Sequence, residues 1–272
     1  MADTFAATTA LVTGASAGLG EEFARQLAAR GVKRLALVAR REDRLQKLRA
    51  ELAGAALQID ILPADLAKPD AVTKLLADLD AAGLSPDVLI NNAGLGDLGS
   101  FLSADPERID SMMSVNMIAL TRLTKWAIPA MTQRRSGWIC NVGSTAGILP
   151  LPSFAVYAAT KAYVNSFSEA LRIELHHANV HVLALCPGPV ETEFGEVASR
   201  PDRKRKFSVP AALAVSKEDV VTQTLDAMER GSARLIPGLP VRIPMLLAET
   251  TPRFLMRAFF TAASGRFRPE KS

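Results

Sequence analysis

Short apolar runs alternate along this chain with longer stretches whose apolar residues recur at helical spacing. "TALVTG" (9–14) is followed by an amphipathic stretch ending at Gly31, and glycine just past a periodic segment is a helix stop signal. "RLALVAR" (34–40) precedes "REDRLQKLRAEL", which has acids early and Leu45, Leu48 and Leu52 on one helical face. The same alternation gives strands at 56–62, 87–94, 137–144 and 180–188, with helices from about Pro69, from about Asp105 and near 153–176 between them. Strand, helix, strand, repeated, predicts a parallel sheet with right-handed crossovers. The apolar runs are continuous rather than alternating, as expected of strands covered on both faces. The predicted class is therefore α/β: a doubly wound parallel sheet of about seven strands in a single domain spanning 1–272.

After Pro187 the pattern loosens. Residues 188–215 hold glycine, proline and the charged run "RPDRKRKF" (200–207), too long a stretch for an ordinary connection and predicted to be a substrate loop. A helix at 216–230 and a strand at 233–238 follow. The extension from 239 to 272 is apolar but interrupted by arginines. It is read as an amphipathic helix packed on the domain, with a lid or a membrane-surface contact as the sharper alternatives.

Composition removes several function classes. Half of the 272 residues are apolar, enough for one sizeable core. No segment reaches the roughly 18 consecutive apolar residues of a membrane span, and the N-terminus has no basic region before its apolar run. Cys140 and Cys186 lie in apolar strand-like runs and are read as buried thiols. His176, His177 and His181 have no metal-ligand spacing and are placed at a helix end and in the following strand. The expected location is cytoplasmic. The net charge of +4 comes without a nucleic-acid-binding motif and suits an anionic small molecule equally well.

"TGASAGLG" (13–20) lies between the first strand and the first helix. Gly14, Gly18 and Gly20 permit a sharp turn that lets backbone approach a pyrophosphate, and the helix N-terminus behind it offers free N–H groups. About 20 residues beyond this turn, an acid would bond a ribose hydroxyl and an arginine would accept a 2′-phosphate. Here the second strand ends Ala39-Arg40-Arg41, so NADP(H) is the expected cofactor, with NAD(H) left open. Two solvated arginines at a helix start are the plain alternative, although positive charge is unfavourable there.

"YAATK" (157–161) puts Tyr157 and Lys161 four residues apart on one helix face. A free phenol has a pKa of about 10, and a nearby ammonium would lower it. Ser144, at the end of a strand, could donate to a carbonyl oxygen. Taken singly, the pair could be an exposed helix contact, Ser144 a helix cap with Thr145 as its competitor, and Asn116 an oddity of a helix interior.

With these motifs in order, from "TGASAGLG" through Asp65-Leu66, "NNAG" (91–94), Asn116, "NVGSTAG" and "YAATK" to "PGPVET" (187–192), the chain resembles the short-chain dehydrogenase/reductase family in its compact single-domain form. The resemblance covers about residues 8–192. It implies a Rossmann-type fold and hydride transfer between NADP(H) and a carbonyl or alcohol. Asn116, Ser144, Tyr157 and Lys161 match the catalytic tetrad, with Lys161 tuning Tyr157 and Asn116 holding open a helix for a proton-feeding water. Gly14, Ser16, Gly18, Leu19, Gly20, Arg40, Arg41, Asp65, Leu66, Asn91, Ala93, Gly94, Tyr157, Lys161, Pro187, Gly188, Val190 and Thr192 match cofactor-binding positions. Ala17 departs from the family, since many NADP-preferring members carry a basic residue there.

The expected substrate is a hydrophobic ketone or aldehyde, or its alcohol, because Leu149, Leu151, Phe154, Val156 and Phe194 suggest apolar walls. A non-catalytic cofactor-binding sensor or scaffold is the alternative. A sugar-nucleotide epimerase or dehydratase ranks lower. A homodimer or homotetramer is expected, through the long helix and the Tyr157-containing helix.

Overall fold

The computed structural model describes residues 4–54, 57–200 and 214–262. The 203–206 cluster, most of the charged run and the end of the C-terminal extension lie outside the described residues. Seven parallel strands form one sheet in the order β3-β2-β1-β4-β5-β6-β7. They are β1 (Thr9–Thr13), β2 (Arg34–Ala39), β3 (Gln58–Pro63), β4 (Val88–Asn91), β5 (Gly137–Val142), β6 (Val180–Leu185) and β7 (Arg234–Leu235). Helices α1 (Gly18–Ala29), α2 (Glu42–Leu52), α3 (Pro69–Ala81), α4 (Pro106–Met113), α5 (Leu120–Arg134) and α6 (Ala155–Leu175) make the crossovers. α7 (Phe194–Ala198), α8 (Lys217–Glu229), α9 (Leu239–Thr250) and α10 (Arg253–Ala262) complete the described chain.

Alternate strand residues supply two cores. Val12, Leu35 and Leu37 pack on the face covered by Phe23 and Leu27 of α1, Leu45 of α2 and Leu225 of α8. Leu11, Ala36 and Val38 face the other way, against Leu75 and Leu79 of α3, Leu123 and Met131 of α5 and Leu171 of α6. β1 pairs with β2 on one side and with β4 on the other, so the strand order reverses there. A crevice at the carboxyl ends of these two strands is where an open α/β sheet places its ligand.

Two elements depart from the sequence expectation. The long helix predicted from Asp105 is interrupted by a wide π turn, Ser114–Ala119, between α4 and α5. The C-terminal extension forms two helices rather than one. Thr251 is extended, at φ −74° and ψ 126°, because it precedes Pro252, which disfavours helical backbone at the residue before it.

Candidate active site

The turn after β1 is built from glycines for identifiable reasons. Gly14 and Gly18 have φ of +67° and +58°, a region that side chains rarely adopt. A Cβ on Gly14 would lie 2.8 Å from Asn92 Nδ2 and 2.9 Å from Ala93 Cα. No side chain caps the start of α1, since its cap residue is Ala17. The first-turn N–H groups are therefore directed toward the cleft without a side-chain partner, the arrangement that binds anions. Gly14, Ser16, Gly18 and Leu19 line the cleft. Gly20 does not. It is buried under the turn, where a Cβ would come within 2.2 Å of the Gly14 carbonyl oxygen, so it shapes the turn rather than facing a ligand.

At the end of β2, Arg40 and Arg41 both line the cleft. Arg40 is exposed and makes no ion pair among the described residues. Arg41 donates through Nε to Ser16 Oγ at 3.3 Å and through Nη1 to Glu193 Oε2 at 3.0 Å. Arg44 donates to the other oxygen of the same carboxylate at 2.6 Å. Hydrogen bonds from Arg44 and then Arg41 hold the Glu193 carboxyl below the usual carboxylate range. Asp65 and Leu66 line the same end, with Asp65 accepting from the Ala67 N–H at 3.2 Å.

Asn91 is placed differently from expectation. Its side chain is buried, donating to Thr124 Oγ1 and Asn141 Oδ1, both at 2.8 Å. Successive residues at a strand end point to opposite sides, so it is Asn92 that lines the cleft, fastened to Thr13 by its N–H at 3.0 Å and by its Nδ2 at 2.9 Å. Ala93 and Gly94 line the cleft as expected.

Ser144 follows β5 and caps the short turn Thr145–Gly147, accepting from the Ala146 N–H at 3.0 Å. Its hydroxyl lies near enough to the phenol of Tyr157 to oppose the effect of burial on that group. Thr145, its competitor, is committed to the Pro187 carbonyl at 3.3 Å. Tyr157 lies in the first turn of α6, its ring packed between Phe154 at 5.2 Å and Phe194 at 5.4 Å. One turn on, Lys161 donates to the Val142 carbonyl at 2.7 Å, and its Nζ is 5.7 Å from the centroid of the Tyr157 ring. Both are buried, at 8% and 4% exposure.

Burial decides the protonation of this pair. It pushes the Tyr157 phenol up to about 12, against the opposing effect of Ser144, and pulls the Lys161 ammonium down to about 8. Desolvation penalises the charged form of each group. The expected lowering of the Tyr157 pKa by Lys161 is therefore not seen here. Asn116, on the π turn, accepts from the Leu95 N–H at 2.8 Å and donates to the Leu95 carbonyl and Thr160 Oγ1, each at 2.9 Å. Its amide clamps the segment after β4 to α6.

Pro187, Gly188, Val190 and Thr192 form the opposite wall. A Cβ on Gly18 would meet Thr192 Cγ2 at 3.2 Å, and one on Gly188 would meet Val241 Cγ1 of α9 at 2.8 Å. The segment from Thr192 to Arg200 is pinned at both ends: Glu193 to Arg41 and Arg44, and Arg200 Nε to Asp97 Oδ1 at 2.9 Å. Arg200, helped by Arg108 and against the opposing effect of burial, sets the Asp97 carboxyl below its ordinary value. The open cleft has a volume of about 500 Å³. Beyond Tyr157 its walls are Leu95, Leu149, Leu151, Phe154, Phe194 and Val197. Glu193 and Asn92 were not anticipated as site residues. Glu193 carries no local signal, because its arginine partners are 149 and 152 residues away.

The uncapped α1 terminus, the left-handed glycines and the unpaired Arg40 fit a phosphorylated dinucleotide laid across the carboxyl ends of β1 and β4. Comparison with known proteins points the same way. Residues 8–203 match the family model for short chain dehydrogenases. The NADP-dependent 3-hydroxy acid dehydrogenase YdfG of Escherichia coli is 38% identical over 213 residues, covering 77% of this chain and 84% of that protein. The structure of a short-chain dehydrogenase from Sphingobium yanoikuyae in complex with NADPH superposes with a TM-score of 0.78 at 29% identity, covering 97% of this chain and 98% of that one. A bulky-bulky ketone specific alcohol dehydrogenase from Comamonas testosteroni gives 0.74 at 28% identity, with 97% and 96% covered.

Proposed function

For this chain, which belongs to the short-chain dehydrogenase/reductase family and is an oxidoreductase acting between alcohol and carbonyl groups, we propose NADP(H)-dependent interconversion of a hydrophobic ketone or aldehyde with its alcohol. The observation that carries this reading is the buried Ser144–Tyr157–Lys161 cluster, placed where the apolar end of the cleft meets the glycine turn.

The turn from Gly14 to Leu19 and the N–H groups of α1 would hold the pyrophosphate, Asp65 and Leu66 the adenine side, and Arg40 with Arg41 a 2′-phosphate. Asn92, Ala93, Pro187, Gly188 and Thr192 would border the nicotinamide. NADPH, when bound, supplies the hydride. The chain's own residues handle the proton. The Ser144 hydroxyl orients the carbonyl oxygen beside the phenol. Tyr157, protonated at neutral pH, donates its proton as negative charge grows on that oxygen, and accepts it back in the oxidising direction. Lys161, one turn on from the ring, would bond the nicotinamide ribose and pass on the proton that restores Tyr157. Asn116 acts by fixing Leu95 and Thr160 on either side of that path.

The named 3-hydroxy acid substrate of the Escherichia coli relative would need a cation for its carboxylate. Among the described residues, the arginines lining the cleft are Arg40 and Arg41, both at the adenine end. Among the described residues the substrate end is apolar apart from Ser144, Tyr157 and Lys161, which favours a ketone or aldehyde without a carboxylate. Assembly as a dimer or tetramer and a cytoplasmic location belong to the same proposal. The test is NADPH oxidation across a panel of carbonyls together with NADP⁺ reduction across the matching alcohols. Turnover on bulky apolar carbonyls is expected. Turnover confined to hydroxy acids, or absent throughout, would refute the substrate assignment or the catalytic reading respectively.

A further inference from the structure

α9 and α10 use only part of their surface to pack on the domain. Val241 is buried and Met245 packs beside it, against Ala184, Cys186 and Ile236. Leu239, Ile243, Leu246 and Leu247, at i, i+4, i+7 and i+8, form a stripe on the solvent side. α10 adds Phe254, Leu255 and Phe259, with Leu239 and Phe259 each 68% exposed. A contiguous apolar patch on this scale marks a surface that meets something.

The charge on these two helices says what. Between them α9 and α10 hold three basic side chains, Arg242, Arg253 and Arg257, and one acidic one, Glu249, which is turned onto Arg234, 2.5 Å away. Arg242, Arg253 and Arg257 are exposed and make no ion pair among the described residues. The outer face of α9 and α10 therefore combines aromatic and aliphatic side chains with Arg242 and Arg257, while Arg253 borders the small pocket shared with Glu169 and Glu249. A second copy meeting this face across a two-fold axis would bring the same arginines toward each other. An anionic lipid surface would pair with them and take up the apolar stripe.

We propose that α9 and α10 dock this protein on anionic phospholipid membranes, lying in the headgroup region without crossing it. No helix among the described residues is long and apolar enough to span, and an amphipathic cationic helix with phenylalanine and leucine on its other face suits that interfacial position. The inner face of α9 rests on Gly188 at the cleft wall, so docking brings the apolar end of the cleft toward the bilayer. The surface itself does not depend on the proposed reaction.

Flotation of the full chain with phosphatidylcholine vesicles, with and without added phosphatidylglycerol, tests this. Binding is expected to the anionic vesicles, weakening with salt. Phe254→Ser/Phe259→Ser and Arg242→Gln/Arg257→Gln should each reduce it at least about tenfold, with thermal unfolding unchanged because both pairs are exposed. Equal partitioning to both vesicle types, no binding at low salt, or unaltered binding by both variants overturns the proposal. So does an oligomer that the phenylalanine variant dissociates in the absence of any lipid binding, which would assign the face to a second copy.

Discussion

Lys161 and Tyr157 stack one turn apart, with the ammonium 5.7 Å from the ring centroid and bonded to the Val142 carbonyl instead of the phenol oxygen. Both groups are desolvated, and each is driven toward its neutral form. Tyr157 is thus in its protonated form at neutral pH, the form that can donate to a carbonyl oxygen.

The two reaction directions should then differ in pH dependence. With the phenol near 12 and Lys161 near 8, kcat/KM for carbonyl reduction should be flat between about pH 6 and 7 and decline as Lys161 loses its proton above that. For alcohol oxidation the base form is needed, and kcat/KM should climb with pH through the alkaline range, by up to about tenfold per pH unit. A rate for oxidation that already levels off at neutral pH would show that the bound complex lowers the phenol far more than burial raises it.

Tyr157→Phe removes one hydroxyl from a ring that stays packed between Phe154 and Phe194. Turnover should fall by about 10²–10⁴, while NADPH binding, followed by fluorescence, stays near wild type. Comparable turnover in the two proteins would reject Tyr157 as the proton donor.

Lys161 makes a stability prediction of definite sign. Its folded pKa of about 8 lies below the ordinary 10.5, so between these values the unfolded chain binds the extra proton. Stability must rise with pH across that window, and the cost of burying the ammonium is fully present below it. In the cofactor-free protein, wild type should gain on Lys161→Met by about 3 kcal/mol between pH 7.5 and 10.5. Denaturant titrations at several pH values measure the difference, and a constant gap contradicts it.

Glu193 already occupies Arg41, one of the two arginines assigned to the 2′-phosphate, together with Arg44. Glu193→Gln should release both. NADPH should bind roughly three- to tenfold tighter and NADH hardly at all differently. Arg40→Ala should do the opposite, weakening NADPH alone. If Glu193→Gln weakens both cofactors equally, the carboxylate is a clasp over the cleft and does not compete for the arginines.

Much of this architecture was readable from periodicity. The strands are buried on both faces, so their apolar runs stand out, and the glycine turn is bounded by a strand and a helix that give it meaning. The four-residue spacing of Tyr157 and Lys161 survives into the structure because α6 is regular there. Other features had no local signature. Whether Asn91 or Asn92 faces the cleft depends on where β4 ends, since one residue of register exchanges the two. The Glu193 contacts join segments that only the fold brings together. The pKa values of the pair depend on burial, which spacing cannot report. Pro252, by contrast, was a legible break in the C-terminal extension, and its effect on Thr251 follows from chain sterics alone.

The wide turn at Ser114–Ala119 has a consequence for anyone recombining this chain with its relatives. A π turn is an α-helix carrying one residue too many, and each residue turns a helix by about 100°. Shortening 114–119 by one would leave a smooth helix without rotating α5, because the wide turn already absorbs the extra residue, and the loss would fall on the turn itself, where Asn116 holds Leu95. Crossover points for chimeras should therefore fall outside this segment, and an aligned gap within it signals a partner whose Leu95 clamp is built on a different frame.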